Sequence, residues 1–282
     1  MNLDTVKVEV SNKVAKITLN RPEKRNCMSP QLHRDMTQVL DALRYRQDVA
    51  VLVITGAGES FCAGMDLKEF FYELKESPAK FDETFRIACE WRGRTLRYYP
   101  KPTISMINGY CFGGAFSIVE GCDLAVSARE ATFGLSEVNF KAFPGGSVSK
   151  SLANLLRPRE ALFYALTGRP FDGDEAARIG LVNYAVPQAE LESFTMAIAQ
   201  EIAQKDPAAL AATKDGYRFA LEMSWDASIN HTLAKQVELK VLQESADWIG
   251  TGINDFLKGN YRPGLESHSD SHSEALGNTP VA

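Results

Sequence analysis

Two glycine-bearing turns, each following an apolar strand-like run and opening into a helix, constrain this chain more than any other feature. Residues 51–55 lead into Ser60-Phe61-Cys62-Ala63-Gly64-Met65-Asp66-Leu67. Residues 102–107 lead into Asn108-Gly109-Tyr110-Cys111-Phe112-Gly113-Gly114-Ala115. A chain that keeps passing from strand to helix builds a largely parallel sheet, because parallel neighbours need a crossover between them. At each junction the first helical N–H groups lack partners and favour negative charge. Two such junctions facing one point would make an oxyanion hole. Glu137, in Phe133-Gly134-Leu135-Ser136-Glu137, is the candidate carboxylate for acid–base chemistry beside it.

The rest of the chain extends the same alternation. Residues 6–10 and 14–19 alternate apolar and polar around Asn12, which predicts two strands joined by a turn. After the polar stretch Asn20-Arg21-Pro22-Glu23-Lys24-Arg25-Asn26, Ser29-Pro30 opens a helix with serine as cap and proline at its first position. Its apolar face is Leu32, Met36, Val39, Leu40 and Leu43. Strands are expected at 50–55, 102–107 and 123–127. Helices are expected from about Asp66, near 83–98, and from about Gly113. Pro144-Gly145-Gly146 breaks the pattern before a helix at 147–155. Later segments read as helices at 158–166, 173–179, 188–204, 207–221 and 225–247, interrupted by a strand-like 181–186. The expected organisation is an α/β core over 1–190 and a helical region over 191–265. A tail over 266–282, rich in Ser, Gly and His, reads as disordered.

Bulk properties exclude some roles. The net charge of -5 argues against nucleic acid or an anionic membrane as the main partner. Five scattered cysteines show neither metal-ligand spacing nor a disulfide framework, so a reducing compartment is expected and no metal site. The segment Met1-Asn2-Leu3-Asp4 is not apolar and no run approaches membrane-spanning length, so the expected location is the cytoplasm.

Taken together, Ala63-Gly64-Met65-Asp66-Leu67, Asn108-Gly109 through Gly113-Gly114, Phe133-Gly134-Leu135-Ser136-Glu137 and Pro144-Gly145-Gly146 resemble the crotonase (enoyl-CoA hydratase/isomerase) superfamily. The resemblance runs from Asn20-Arg21-Pro22 to Ala176-Ala177-Arg178-Ile179-Gly180-Leu181-Val182, most of the chain. It implies a ββα spiral core with C-terminal helices that support homotrimers or dimers of trimers. It also implies an acyl-CoA substrate, no cofactor beyond that coenzyme A, and Met65 and Gly114 N–H groups holding the thioester oxygen. Lys24 and Arg25 match the region that contacts the CoA phosphates and pantetheine, and Ala63 a backbone contact to the adenine. Lys68 and Lys258 are further candidates. Asp66 is expected to cap its helix, and Glu120 to be solvated or salt-bridged.

Within that superfamily the chain is similar to the hydroxycinnamoyl-CoA (feruloyl-CoA) hydratase-lyases. Supporting stretches include Cys111-Phe112-Gly113-Gly114-Ala115-Phe116-Ser117 and Arg262-Pro263-Gly264-Leu265. Ordinary hydratases carry a second catalytic glutamate where this chain has Ser117. With Glu137 alone, one carboxylate must move protons in successive steps, which suits hydration of an enoyl thioester followed by carbon–carbon scission. Ser117 would position water or the β-hydroxyl; alternatively it is a small residue that fits beside the turn. Two departures stand out. The position of the tyrosine that binds the ring hydroxyl reads Leu233, with His231 roughly 200° away around a helix. The run after the glutamate reads Phe140-Lys141-Ala142-Phe143-Pro144-Gly145 in place of Trp-Gly-Ile-Pro-Pro-Gly. Phe140, Phe143, His231 and Leu233 are therefore the acyl-pocket candidates. A 2-enoyl-CoA hydratase or isomerase without cleavage, and an acyl-CoA- or RNA-binding homologue, remain as alternatives.

Overall fold

Asn12 and Lys13, both at positive φ (48° and 63°), turn the chain between β1 (Val6–Ser11) and β2 (Val14–Leu19), which pair antiparallel along their full length. The structure, a computed structural model, describes residues 3–243 and 253–259. The chain divides into two compact units, Met1–Arg218 and Phe219–Ala282. In the first unit α1 (Pro30–Arg44) starts as its sequence predicts, the Ser29 hydroxyl accepting the Leu32 N–H at 3.2 Å.

From there one step repeats. A strand of a large sheet turns a corner into a three-residue strand of a second sheet, and the chain then leaves as a helix. β3 (Val51–Gly56) feeds β4 (Ser60–Cys62), β5 (Thr103–Ile107) feeds β6 (Tyr110–Phe112), and β7 (Leu124–Ala128) feeds β8 (Thr132–Gly134). Backbone crowds each of the first two corners: a Cβ on Gly56 or Gly109 would run into the carbonyl of Ser60 or Glu59. Asn108 locks them together, its Nδ2 donating to Gly56 O at 3.0 Å and Gly58 O at 2.8 Å. Asn108-Gly109 thus belongs to a sheet corner, and the second candidate turn begins only after Phe112.

The helical parts are a π-helical Leu67–Tyr72, α2 (Pro78–Glu90) and a π-helical Trp91–Thr95 after β4, and a 3-10 turn Gly113–Ala115 with α3 (Phe116–Gly121) after β6. After β8 comes a 3-10 turn Glu137–Phe140. The stretch near 83–98, read as one helix, is therefore an α-helix that loosens into a π turn. α4 (Val148–Leu155), α5 (Pro158–Thr167), β9 (Phe171–Asp172), α6 (Gly173–Arg178), β10 (Tyr184–Val186) and α7 (Leu191–Ala203) follow. The large sheet has the order β1-β2-β3-β5-β7-β10, parallel from β2 onward, and the small one β4-β6-β8-β9. β3 is buried at every residue, as a central parallel strand must be, and α7 lies across β2, β3, β5 and β7.

α8 (Pro207–Ala220) contains the division between the units, and α9 (Trp225–Leu242) and α10 (Asn254–Leu257) belong to the second. Arg262-Pro263-Gly264-Leu265 and the tail 266–282 lie outside the described residues.

Candidate active site

The small sheet assembles the site. β4, β6 and β8 are adjacent and parallel, so the segments leaving their C-terminal ends emerge side by side, where parallel α/β sheets present ligand sites. Those segments carry Gly64-Met65, Gly113-Gly114 and Glu137. Gly64 and Gly113 both need positive φ (90° and 51°), which glycine adopts without a Cβ penalty. The two turns touch: a Cβ on Gly64 would lie 2.8 Å from Phe112 O and 3.5 Å from the Gly114 nitrogen. A Cβ on Gly113 would lie 2.9 Å from Glu137 Oε1. The structure therefore brings Met65, Gly114 and Glu137 to one place.

Both N–H groups are oriented outward by their surroundings. Met65 forms a parallel bridge with Met28, in which the Met28 N–H donates to Gly64 O at 2.7 Å and the Asp66 N–H to Met28 O at 3.0 Å. That pattern turns the N–H of Met65 itself away from Met28. Gly114 is second in its 3-10 turn, where an N–H has no intrahelical acceptor. Glu137 is partly buried, and its Oε2 is shielded from water without a hydrogen-bond partner. Burial raises its pKa above the usual carboxylate value, opposed only by its own backbone N–H.

Ser117 is buried beneath the second turn. Its hydroxyl donates to Gly114 O at 2.7 Å and accepts from Arg92 Nη1 at 2.8 Å, while the same Nη1 donates to Gly114 O at 2.9 Å. The one hydroxyl hydrogen is thus engaged by the Gly113-Gly114 turn. The sequence signals Arg92 only as a charge between apolar residues Ala88, Trp91 and Leu96, and the π turn that aims it at Gly114 is invisible to helical spacing.

Three of the CoA-side candidates, Lys24, Arg25 and Ala63, lie together. The Ala63 N–H donates to Arg25 O at 2.9 Å, and the exposed Arg25 guanidinium lies 4.9 Å from the Tyr110 ring centroid. Lys24, exposed beside it, ends the 3-10 turn Pro22–Lys24. Asn26 folds this loop onto the β3–β4 corner, its Nδ2 donating to Ala57 O and Ser60 O. Lys68 is exposed and 3.7 Å from Glu73, so it is partly committed elsewhere. Asp66 caps its helix as expected, accepting from the Lys68 and Glu69 N–H groups, and also receives Arg21. Glu120 is buried, not solvated, and is paired with Arg97 and Arg218.

Phe140 and Phe143 are 66% and 74% exposed, so neither is a core residue. The Phe143 ring comes within 3.8 Å of the Cβ position of Gly145, and Phe85 within 3.9 Å of that of Gly146. Phe85 stacks on Phe81, which meets Phe70 and Phe71, giving a run of four aromatic rings that periodicity alone did not single out. His231 and Leu233 lie on α9 in the second unit. There His231 packs edge-on to Phe219, with Nε2 buried and unpartnered, and Leu233 is exposed beside Trp225 and Ile229. Lys258 is exposed just after α10.

Residues 9–257 match the family described as enoyl-CoA hydratase/isomerase. The chain is 44% identical over 266 residues to a hydroxycinnamoyl-CoA hydratase-lyase of Pseudomonas fluorescens, covering 94% of this chain and 96% of that one. It is 35% identical to a mevalonyl-coenzyme A hydratase of Aspergillus fumigatus, covering 88% and 90%. Its fold superposes on the crystal structure of an enoyl-CoA hydratase from Bacillus anthracis with a TM-score of 0.81 at 26% identity, covering 91% and 97%. Among the described residues no helix is long and apolar enough to cross a membrane.

Proposed function

Because the chain belongs to the enoyl-CoA hydratase/isomerase family, we propose that it is an acyl-CoA hydratase-lyase, converting a hydroxycinnamoyl-type 2-enoyl-CoA and water into an aromatic aldehyde and acetyl-CoA. The observation that carries this reading is Glu137, a partly buried carboxylate against Gly113, with Ser117 rather than a second acid at the start of α3, whose Glu120 is committed to Arg97 and Arg218. The 44% identity to a hydratase-lyase supports the same reaction class.

The thioester oxygen accepts the N–H groups of Met65 and Gly114. Each such donor contributes about 3–4 kcal/mol when negative charge develops on that oxygen. Glu137 takes a proton from water as the oxygen attacks Cβ, and electrons move from the double bond into the thioester to form an enolate. Glu137 then returns the proton to Cα. In the second stage it takes the proton of the new β-hydroxyl; the C–O bond becomes a carbonyl and the Cα–Cβ pair returns to the thioester enolate. The aldehyde leaves, and protonation of Cα gives acetyl-CoA. Both stages pass through a thioester enolate, that of the β-hydroxyacyl-CoA in the first and that of acetyl-CoA in the second, so one oxyanion hole serves both. A buried carboxylate with raised proton affinity suits repeated proton transfer near neutral pH.

Ser117 serves by holding the carbonyl of Gly114, so that the N–H on the other side of that residue stays aimed at substrate. Lys24, Arg25 and Ala63 receive the CoA moiety, and the rings around Phe85 and Phe143 suit a flat apolar acyl group. The reading extends to a vanillin-type aldehyde from a feruloyl thioester, no cofactor beyond substrate CoA, a trimer or dimer of trimers, and a cytoplasmic location. The test is product analysis with cinnamoyl-, coumaroyl-, feruloyl- and crotonyl-CoA. Stoichiometric aldehyde and acetyl-CoA are expected from the hydroxylated aryl thioesters. Accumulation of β-hydroxyacyl-CoA alone would make the chain a hydratase without lyase activity.

A further inference from the structure

Four arginines are buried among the described residues: Arg21, Arg92, Arg97 and Arg218. Arg21 pairs with Asp66 and Glu69, and Arg97 and Arg218 share Glu120. Arg92 has no carboxylate within ion-pair distance among the described residues. Its partners are neutral: Ala88 O at 3.0 Å from Nε, and Gly114 O and the Ser117 hydroxyl from Nη1. Burying a guanidinium without an anion is strongly unfavourable, and arginine does not escape by losing its proton. The fold nevertheless makes room for it. A Cβ on Gly114 would lie 3.1 Å from Nη1, and a Cβ on Gly121 2.7 Å from the Arg92 carbonyl, so glycine at both positions admits this side chain and its π turn.

We propose that Arg92 is a positioning residue for the thioester enolate: it clamps Gly114 and Ser117, and its charge is the counter-ion of negative charge forming at the Gly114 N–H. The cation has no anion on the protein side because the reaction supplies one. This rests on the acyl-CoA reading above and adds a residue to it. The arrangement also separates two demands. The field favours the enolate, while the proton affinity of Glu137 is set by its own burial and backbone N–H. The titratable groups around Arg92 do not compensate it. Cys62 and Cys89 are held as thiols by burial, and burial together with the nearby Arg92 and Arg34 keeps His33 neutral.

Acetoacetyl-CoA tests this directly, because its enolate absorbs in the near ultraviolet and its titration can be followed on the protein. In the parent protein the bound ligand should enolise at lower pH than in solution. With Arg92→Gln, which retains hydrogen-bonding groups but no charge, half-enolisation should move up by about 1 pH unit, so the enolate-to-keto ratio at a fixed pH falls about tenfold. Arg92→Lys should recover at least half of that change, and acetyl-CoA affinity should stay within about threefold in both. Should the Gln variant not fold, Arg92→Met gives the same reading, since removing an unpaired cation strands no partner charge. A neutral variant that titrates within about 0.2 pH units of the parent overturns the role of Arg92. No displacement in the parent protein overturns the oxyanion reading itself, a separate outcome.

Discussion

Gly64 offers the sharpest perturbation of the proposed oxyanion hole. Its φ of 90° places an alanine Cβ in the left-handed region, and that Cβ would sit 2.8 Å from Phe112 O. The carbonyl cannot rotate away, because Phe112 is held in β6 by its pairing with β8. The backbone term costs about 1–2 kcal/mol and the steric term about 1–3, so Gly64→Ala should destabilise by about 2–5 kcal/mol. Gly180 supplies the control: its φ is 82°, but the nearest atom to its Cβ position is 3.9 Å away. Gly180→Ala should therefore cost only the backbone term, about 1–2 kcal/mol. Relief of the Gly64 clash pushes the first turn from the second and spoils the aim of one donor, which should lower kcat/KM about 10²–10³-fold. Gly180→Ala should leave kcat/KM within about threefold. Denaturant unfolding and initial-rate kinetics on both variants read these effects. If Gly64→Ala loses no more stability than Gly180→Ala and keeps its kcat/KM, the turns are not pressed together and the oxyanion geometry is wrong.

Three further outcomes follow from side chains already placed. Glu137 has a raised folded-state pKa, so above it the folded protein carries a buried charge that the unfolded chain carries more easily; this penalty grows as pH rises through the window between the ordinary and raised values. Glu137→Gln should thus be more stable than the parent at pH 7, and unfolding curves taken at falling pH should show the advantage shrinking. Lys24→Ala with Arg25→Ala should raise KM for CoA thioesters about 3–30-fold with little change in kcat, an effect that diminishes in salt; an unchanged KM would remove both from the CoA site. Glu120→Ala leaves Arg97 and Arg218 facing each other without their shared carboxylate and should cost about 3–5 kcal/mol in a denaturant titration, whereas a neutral effect would mean that the network is dispensable.

How much of this was legible in the sequence depends on how local each signal is. The Ser29 cap, the hairpin at Asn12 and the Asp66 cap are set by residues a few positions apart, and all are present. Gly64 and Gly113 were legible because a tight turn needs a residue free to take positive φ. The three-residue strands β4, β6 and β8 are too short to show alternation, so the sheet corners and the true place of Asn108 came only with the structure. Arg92 is not legible in the sequence because a π turn shifts its direction by one residue, and because Gly114 and Ser117, which it holds, are 22 and 25 positions away. The exposure of Phe140 and Phe143 was hidden for the opposite reason: their composition resembles core, and only the path of the loop decides otherwise.

Under the proposed mechanism Glu137 alone moves every proton of the reaction. Glu137→Gln keeps the shape and hydrogen-bonding capacity of the side chain and removes its basicity. Aldehyde and acetyl-CoA release from feruloyl-CoA should fall by at least about 10³-fold, while the Kd for a non-reactive CoA thioester stays within about threefold of the parent. Turnover retained within about tenfold would refute that role of Glu137, because the proton would then have another carrier.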